Sequence, residues 1–274
     1  MNKIVIAFDG TLFSDGAFAL ARELNQMHPI LLTGVFVPQV NYANLWSYGT
    51  AMAGPGFIPL VEEEETEAIQ KTIQQFEELC QRYGIKYTIH KDFYDFALPE
   101  LKKESRYADL LIISSERFYE NMLKNSTNEY MEDAIHHAEC PVIVIPEAFN
   151  FPTRNILAYD GNPSSVYAIK QFAYLFPDLC QNETLLVYVS KDEKEGLPSE
   201  EHITELVSHH FPNLNIERLQ IDSRKHFATW LNEESNAFLV CGAYAKSGFA
   251  SMFHKSFVSE AIGSHRLPVF IAHK

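Results

Sequence analysis

The sequence predicts an α/β fold built as two tandem doubly wound domains, each a five-stranded parallel sheet with helices on both faces. Three observations carry that expectation. Short, continuous apolar runs alternate with helix-spaced segments along the 274 residues, the pattern of strands buried on both faces between covering helices. An Asp-Gly pair closes the first apolar run, at Asp9–Gly10, and recurs after another at Asp160–Gly161. A Pro-led apolar run, CPVIV at Cys140–Val144, recurs as LPVFI at Leu267–Ile271.

The elements follow in order. Lys3–Phe8 (KIVIAF) is a doubly buried strand ended by Asp9-Gly10. Ser14 can cap a helix from Asp15 to about Met27, with Ala17, Phe18, Leu20, Ala21 and Leu24 as its apolar stripe. Ile30–Val37 is a second strand, closed by Pro38. Residues 39–60 are rich in Gly, Pro, Tyr and Asn without a period, and read as an ordered loop or insertion. Val61–Tyr83 has helical spacing and ends before Gly84; its Glu62–Glu65 run complements the helix dipole rather than forming a metal site. Ile85–His90, Leu110–Ser114 and Val142–Ile145 read as strands, with a helix at Phe93–Tyr107 and a loop and helix before Val142.

Then the pattern restarts. Asn155–Phe176 repeats the strand, Asp-Gly, turn and helix of Lys3–Asn25. The offset is 151 positions at the Asp-Gly pair and 127 at the Pro-led run, so the first half carries 24 extra residues, most of them placed at 39–60. Two separate anchors in the same order make two homologous units, 1–148 and 153–274. In the second, strands are expected at Asn155–Tyr159, Thr184–Ser190, Asn215–Gln220, Phe238–Cys241 and Val269–Ala272. Helices are expected near Ser164–Phe176, Ser199–His210, Lys225–Ser235 and Ser251–Ser264.

Composition narrows the function. A hydrophobic content of 46% with 21% charged residues is that of a soluble globular chain. A net charge of −14 repels polyanions, which argues against nucleic acid and anionic membranes as partners. No apolar run approaches the ~18 residues needed to cross a bilayer, and the start of the chain reads as a strand rather than a secretory leader. The scattered Cys80, Cys140, Cys180 and Cys241 form no CxxC pair and read as reduced thiols of a cytoplasmic protein.

The strand-Asp-Gly start, the loop after the fourth strand and the final CPV-type strand together resemble the universal stress protein family, over nearly the whole chain. The resemblance implies an adenine nucleotide alpha hydrolase-like fold and, in the ATP-binding branch, a nucleotide at the carboxyl edge of the sheet. There the initial Asp reaches the nucleoside, and a G-x-x-G-(nine residues)-G-[ST] loop cradles the phosphates. It also implies an intramolecular pseudo-dimer paired through Val142–Ile145 and Val269–Ala272, with a homodimer of chains as a further option.

In the second half the loop positions fall on Gly242, Ala245, Lys255 and Ser256, and the Asp-Gly pair on Asp160 and Gly161. The first glycine and the hydroxyl are kept. In the first half the same positions are Ser115, Phe118, Asn128 and Glu129, leaving Asp9 and Gly10 as weaker candidates. Glycines serve such loops by adopting positive φ and allowing close backbone approach to phosphate. A non-Gly residue in the left-handed region costs about 1–2 kcal/mol, or roughly tenfold in affinity each. Lys255 offers a compensating charge; Phe118 adds bulk and Glu129 repulsion. The resemblance therefore implies a non-enzymatic stress-response or regulatory protein with ATP or a related adenine nucleotide, with Mg as its companion ion, in the second half. Slow incidental hydrolysis stays open.

Other readings fare worse. Phe8–Leu12 (FDGTL) suggests a haloacid-dehalogenase start, but Ala7 stands where the nucleophilic Asp belongs. The PP-loop pyrophosphatases need an SGGxDS loop that Gly10–Ser14 does not supply. His136-His137 and His209-His210 are adjacent, about 100° apart on a helix, and cannot converge on a metal. No catalytic nucleophile is called for. His254 shares the candidate phosphate loop with Lys255. The alternative function is a protein-interaction module of the same fold without nucleotide, using Tyr42, Trp46, Tyr48 and Phe57 of the insertion.

Overall fold

A computed structural model describes residues 3–9, 12–37, 63–91, 97–119, 129–190, 196–220, 230–231, 234–242 and 258–272. The 39–60 insertion, most of the helices expected at 225–235 and 251–264, and Gly10, Asn128, Ala245, His254, Lys255 and Ser256 lie outside them.

Ten strands form one sheet. They are β1 (Lys3–Phe8), β2 (Leu31–Phe36), β3 (Lys86–Lys91), β4 (Leu110–Ser114), β5 (Val142–Ile145), β6 (Arg154–Tyr159), β7 (Glu183–Ser190), β8 (Leu214–Gln220), β9 (Ala237–Gly242) and β10 (Val269–Ala272). The helices are α1 (Asp15–Met27), α2 (Glu63–Arg82), α3 (Ala97–Arg106), α4 (Glu129–His137), α5 (Pro163–Leu175) and α6 (Glu200–His210), and residues 258–263 are helical. The strand order is β3-β2-β1-β4-β5-β10-β9-β6-β7-β8. All neighbours run parallel except β5 and β10, which are antiparallel.

The apolar runs become strands because both faces of each central strand are covered. On β1, Ile4, Ile6 and Phe8 join the core under α1 and α2, while Val5 and Ala7 join the core on the opposite face. Phe172 of α5 is fully buried against Phe176, Phe238 and Phe270, a cluster that fastens α5 over β9 and β10. The Ser14 side chain caps α1 as its position suggested, accepting from the Ala17 N–H at 3.0 Å. One element went unforeseen: a 3-10 turn at Leu179–Gln181, tied down by the buried Asn155 amide donating to the Leu179 carbonyl at 2.8 Å. A single 3-10 turn has no hydrophobic period to announce it.

At the seam Val144 faces Val269, Ile143 faces Phe270 and Val142 faces Ile271. With the offset of 127 read from the sequence, Ile143 and Phe270 occupy the same position in their halves, and the flanking pairs exchange symmetrically. Glu132 of α4 and Ser259, another pair separated by 127, meet at 3.5 Å. The strands expected to pair do pair.

All four cysteines are unpaired; Cys80, Cys180 and Cys241 are buried and Cys140 half-buried. Burial pushes each thiol up to about 12 from an ordinary value near 9. A folded pKa above the unfolded one means that the native state keeps its proton after the unfolded chain has lost it. Stability is therefore full below about pH 9 and declines as pH rises toward 12. The urea midpoint should fall across this window, and a thiol reagent should label the native protein slowly; a flat midpoint would contradict the burial.

Candidate functional site

In an open parallel sheet a ligand crevice forms at the carboxyl ends of the strands where the winding direction reverses. The strand order places one such point between β1 and β4 and another between β6 and β9. Asp9 and Asp160 stand directly after β1 and β6, each at the mouth of its crevice.

At the second crevice, residues 243–257 lie outside the described ones. Asp160 is half-buried and Gly161 exposed, the glycine at φ +80°, where an L side chain is strained. The Asp160 carboxylate forms an Asx turn at the start of α5. Its Oδ1 accepts from the Asn162 N–H at 2.9 Å and the Ser165 hydroxyl at 2.5 Å, and its Oδ2 from the Asn162 side-chain amide. Pro198 lies over the turn, its carbonyl accepting from the Tyr159 hydroxyl at 2.7 Å and its ring filling the space beside Gly161. Gly242 ends β9. A Cβ there would stand 2.6 Å from the Ser164 carbonyl carbon and the Ser165 nitrogen. The glycine lets the first turn of α5 press onto the end of β9, so packing alone demands it. The structure thus brings Asp160, Gly161 and Gly242 to one sheet edge; Ala245, Lys255 and Ser256 lie outside the described residues.

The first crevice is filled by the chain itself. Asp9 is only 5% exposed, and its Oδ2 accepts from the Tyr119 N–H at 3.1 Å. Tyr119 has φ +53° and lies across the opening, its hydroxyl donating to the Val37 carbonyl at 2.6 Å. Phe118 and Tyr130 pack on its ring at 4.6 and 4.5 Å. Burial, reinforced by the Asp9 charge, pushes its phenol well above the ordinary range. The sequence-based expectation that Phe118 intrudes needs adjusting: Phe118 is buried in the core, and its neighbour Tyr119 covers Asp9.

A second internal group sits beside it. The Glu147 carboxylate, just past β5, lies at the amino end of α1. Its Oε1 accepts from the Ser14 and Ser114 hydroxyls, both at 2.5 Å, and its Oε2 from the Gly16 N–H at 3.2 Å. Exposed N–H groups and the helix dipole favour an anion at that end, and the chain supplies one. Gly16 makes the approach possible, since a Cβ on it would collide with the Pro146 carbonyl oxygen. Ser115, standing where a phosphate loop would have its first glycine, instead bonds across the seam to His265 Nδ1 at 2.8 Å. Tyr119 and Glu147 escaped the sequence reading. The one available signal was Glu147, a charge two residues beyond a buried strand. Among the described residues no cluster of three or more metal-ligating side chains occurs, and no helix is long and apolar enough to cross a membrane.

No family model and no curated protein sequence matches the chain. Solved structures do match it. A universal stress protein from Archaeoglobus fulgidus superposes with a TM-score of 0.69 at 15% identity, over all of this chain and 96% of that one. A Pseudomonas aeruginosa protein of unknown function gives 0.60 at 11% identity, over 100% and 92% of the two chains. Another P. aeruginosa protein, named for the universal stress family, gives 0.56 at 11% identity, over 100% and 93%. The fold is therefore an α/β fold of the universal stress type. The resemblance drawn from the motifs extends to the three-dimensional arrangement of the whole chain.

Proposed function

We propose that this chain is a cytoplasmic, non-enzymatic stress-response or regulatory protein of the universal stress type. In this reading it consists of two tandem domains, 1–148 and 153–274, and binds an adenine nucleotide in the second. The observation that carries the reading is the contrast between the two crevices. Asp9 is sealed under Tyr119, whereas Asp160 stands half-exposed at a turn that holds Gly161 at φ +80°. Asp160 would contact the nucleoside; Gly242, Ala245, Lys255 and Ser256, with Gly161, would line the phosphate path. Holding a nucleotide at such a site requires no general base, and the role assigned here is binding.

A second reading, a protein-interaction module without nucleotide, is favoured by one feature. Both Asp160 oxygens already have partners from Asn162 and Ser165, and Gly242 has a packing role. Calorimetric titration with Mg-ATP separates the two. The first reading expects one saturable site, weakened about tenfold or more in Asp160→Ala and in Ser256→Ala, a loss of about 1.4 kcal/mol. Absence of heat at millimolar ATP removes the first reading, and equal binding in both variants moves the site elsewhere.

A further inference from the structure

An open cleft of about 560 Å³ lies at the seam between the halves, away from the Asp160 crevice. It sits past the end of β5, where the chain passes from the first half to the second, and beside the starts of β9 and β10. Its size falls within the ~300–1,000 Å³ typical of small-molecule sites. Its apolar lining is the half-buried Phe149, with Leu267 and Pro268 largely buried behind it. The polar lining residues include Asn150, Asn236, His265 and Arg266.

This lining includes a cation on a molecule whose net charge is −14. Arg266 is exposed, and among the described residues no carboxylate is paired with it. The acidic lining residue, Glu234, is already engaged by Arg154 at 2.9 Å. Arg154 is shared with Glu183 at 3.5 Å, so Arg266 is the charged lining residue without an ion-pair partner among the described residues, and the acidic surface beyond about 8 Å is largely screened at physiological salt.

The lining is also held in place at a cost. Asn236 and His265 both adopt left-handed backbone, at φ +57° and +50°. His265 follows the helical residues 258–263, where glycine is the usual choice. It is kept there by its N–H, which donates to the Ile262 carbonyl at 3.0 Å, and by its ring, which contacts Ser115 of the first half at 2.8 Å. Ser115 Oγ also lies 3.2 Å from Glu116 Oε2, which accepts the Glu147 N–H at 2.6 Å. With Ser115 donating to Glu116, His265 Nδ1 carries the proton toward Ser115 and Nε2 faces a ligand as an acceptor. Strained residues of this kind gather where a site must be pre-organised.

We propose that the seam cleft binds a small organic monoanion, an apolar body bearing one carboxylate. Arg266 holds the carboxylate, with the Asn150 and Asn236 amides around it. The apolar body lies against the half-buried Phe149. A polyphosphate is disfavoured here, because one arginine cannot offset several charges on so acidic a protein.

The test uses the full chain and benzoate as probe, with inorganic phosphate as the comparison, followed by amide chemical-shift mapping. Benzoate should shift the amides of residues 148–150, 234–236 and 265–267 saturably. Arg266→Gln should weaken it about tenfold, and Ala148→Trp, which fills the cleft from an exposed position, should abolish binding while the rest of the spectrum stays native. Three outcomes overturn the proposal: no saturable shift at millimolar benzoate, equal binding in both variants, or phosphate binding as tightly as benzoate. The result is independent of the nucleotide reading, because the two sites share no residue.

Discussion

Gly242→Ala should destabilise the protein by about 1–3 kcal/mol, the range for overpacking a closed site. The added carbon would stand 2.6 Å from two backbone atoms of Ser164 and Ser165. Backbone at a helix start cannot rotate away as a side chain can. α5 must lift off β9, loosening Phe172 from Phe238 and Phe270 and disturbing the Asp160 turn. Gly196→Ala is the control, since nothing lies within 4 Å of a Cβ there; it should be neutral or slightly stabilising. Urea unfolding monitored by circular dichroism reads both. A Gly242→Ala protein as stable as wild type would mean that the glycine is not a packing residue, and would return it to a ligand-binding role alone.

Glu147→Ala should cost about 3 kcal/mol. The carboxylate accepts two hydroxyls and one backbone N–H, and hydrogen bonds to a charged group are worth about 1.5–3 kcal/mol each, with less than full additivity. Its removal leaves Ser14 and Ser114 without their acceptor and the start of α1 without its anion. Glu147→Gln keeps one acceptor oxygen and should lose about half as much. The same urea titration measures both. Equal stability of wild type and Glu147→Ala would show that water replaces the carboxylate without loss.

The fold was legible because its signals are periodic and repeated. KIVIAF, LLIIS and VIVI have no solvent-facing side, and each became a central strand. The offset of 127 at the Pro-led runs aligned the two halves, and the register at the seam came only with the structure. The site was legible only in its anchors. Asp9 and Asp160 stand where the motif put them, yet the motif said nothing of what covers them. Tyr119 reaches Val37 across 82 positions and Glu147 reaches Ser14 across 133. Contacts of that separation have no local period, so single-sequence reading could not pair them. Gly242 carries a further lesson: a conserved-looking motif position can be explained by the backbone it packs against before any ligand is considered.

The antiparallel pairing of β5 with β10 also has a temporal consequence. On the ribosome, β1 to β5 emerge and can assemble long before residues 269–272 are translated. Until then the nascent first half presents β5 as a bare edge of four apolar residues, VIVI, the type of strand that recruits neighbouring chains. Completion of the last strand converts that edge into the middle of a sheet. During the interval between the two events that edge has no β10 to pair with, and the length of the interval is set by translation speed rather than by folding stability.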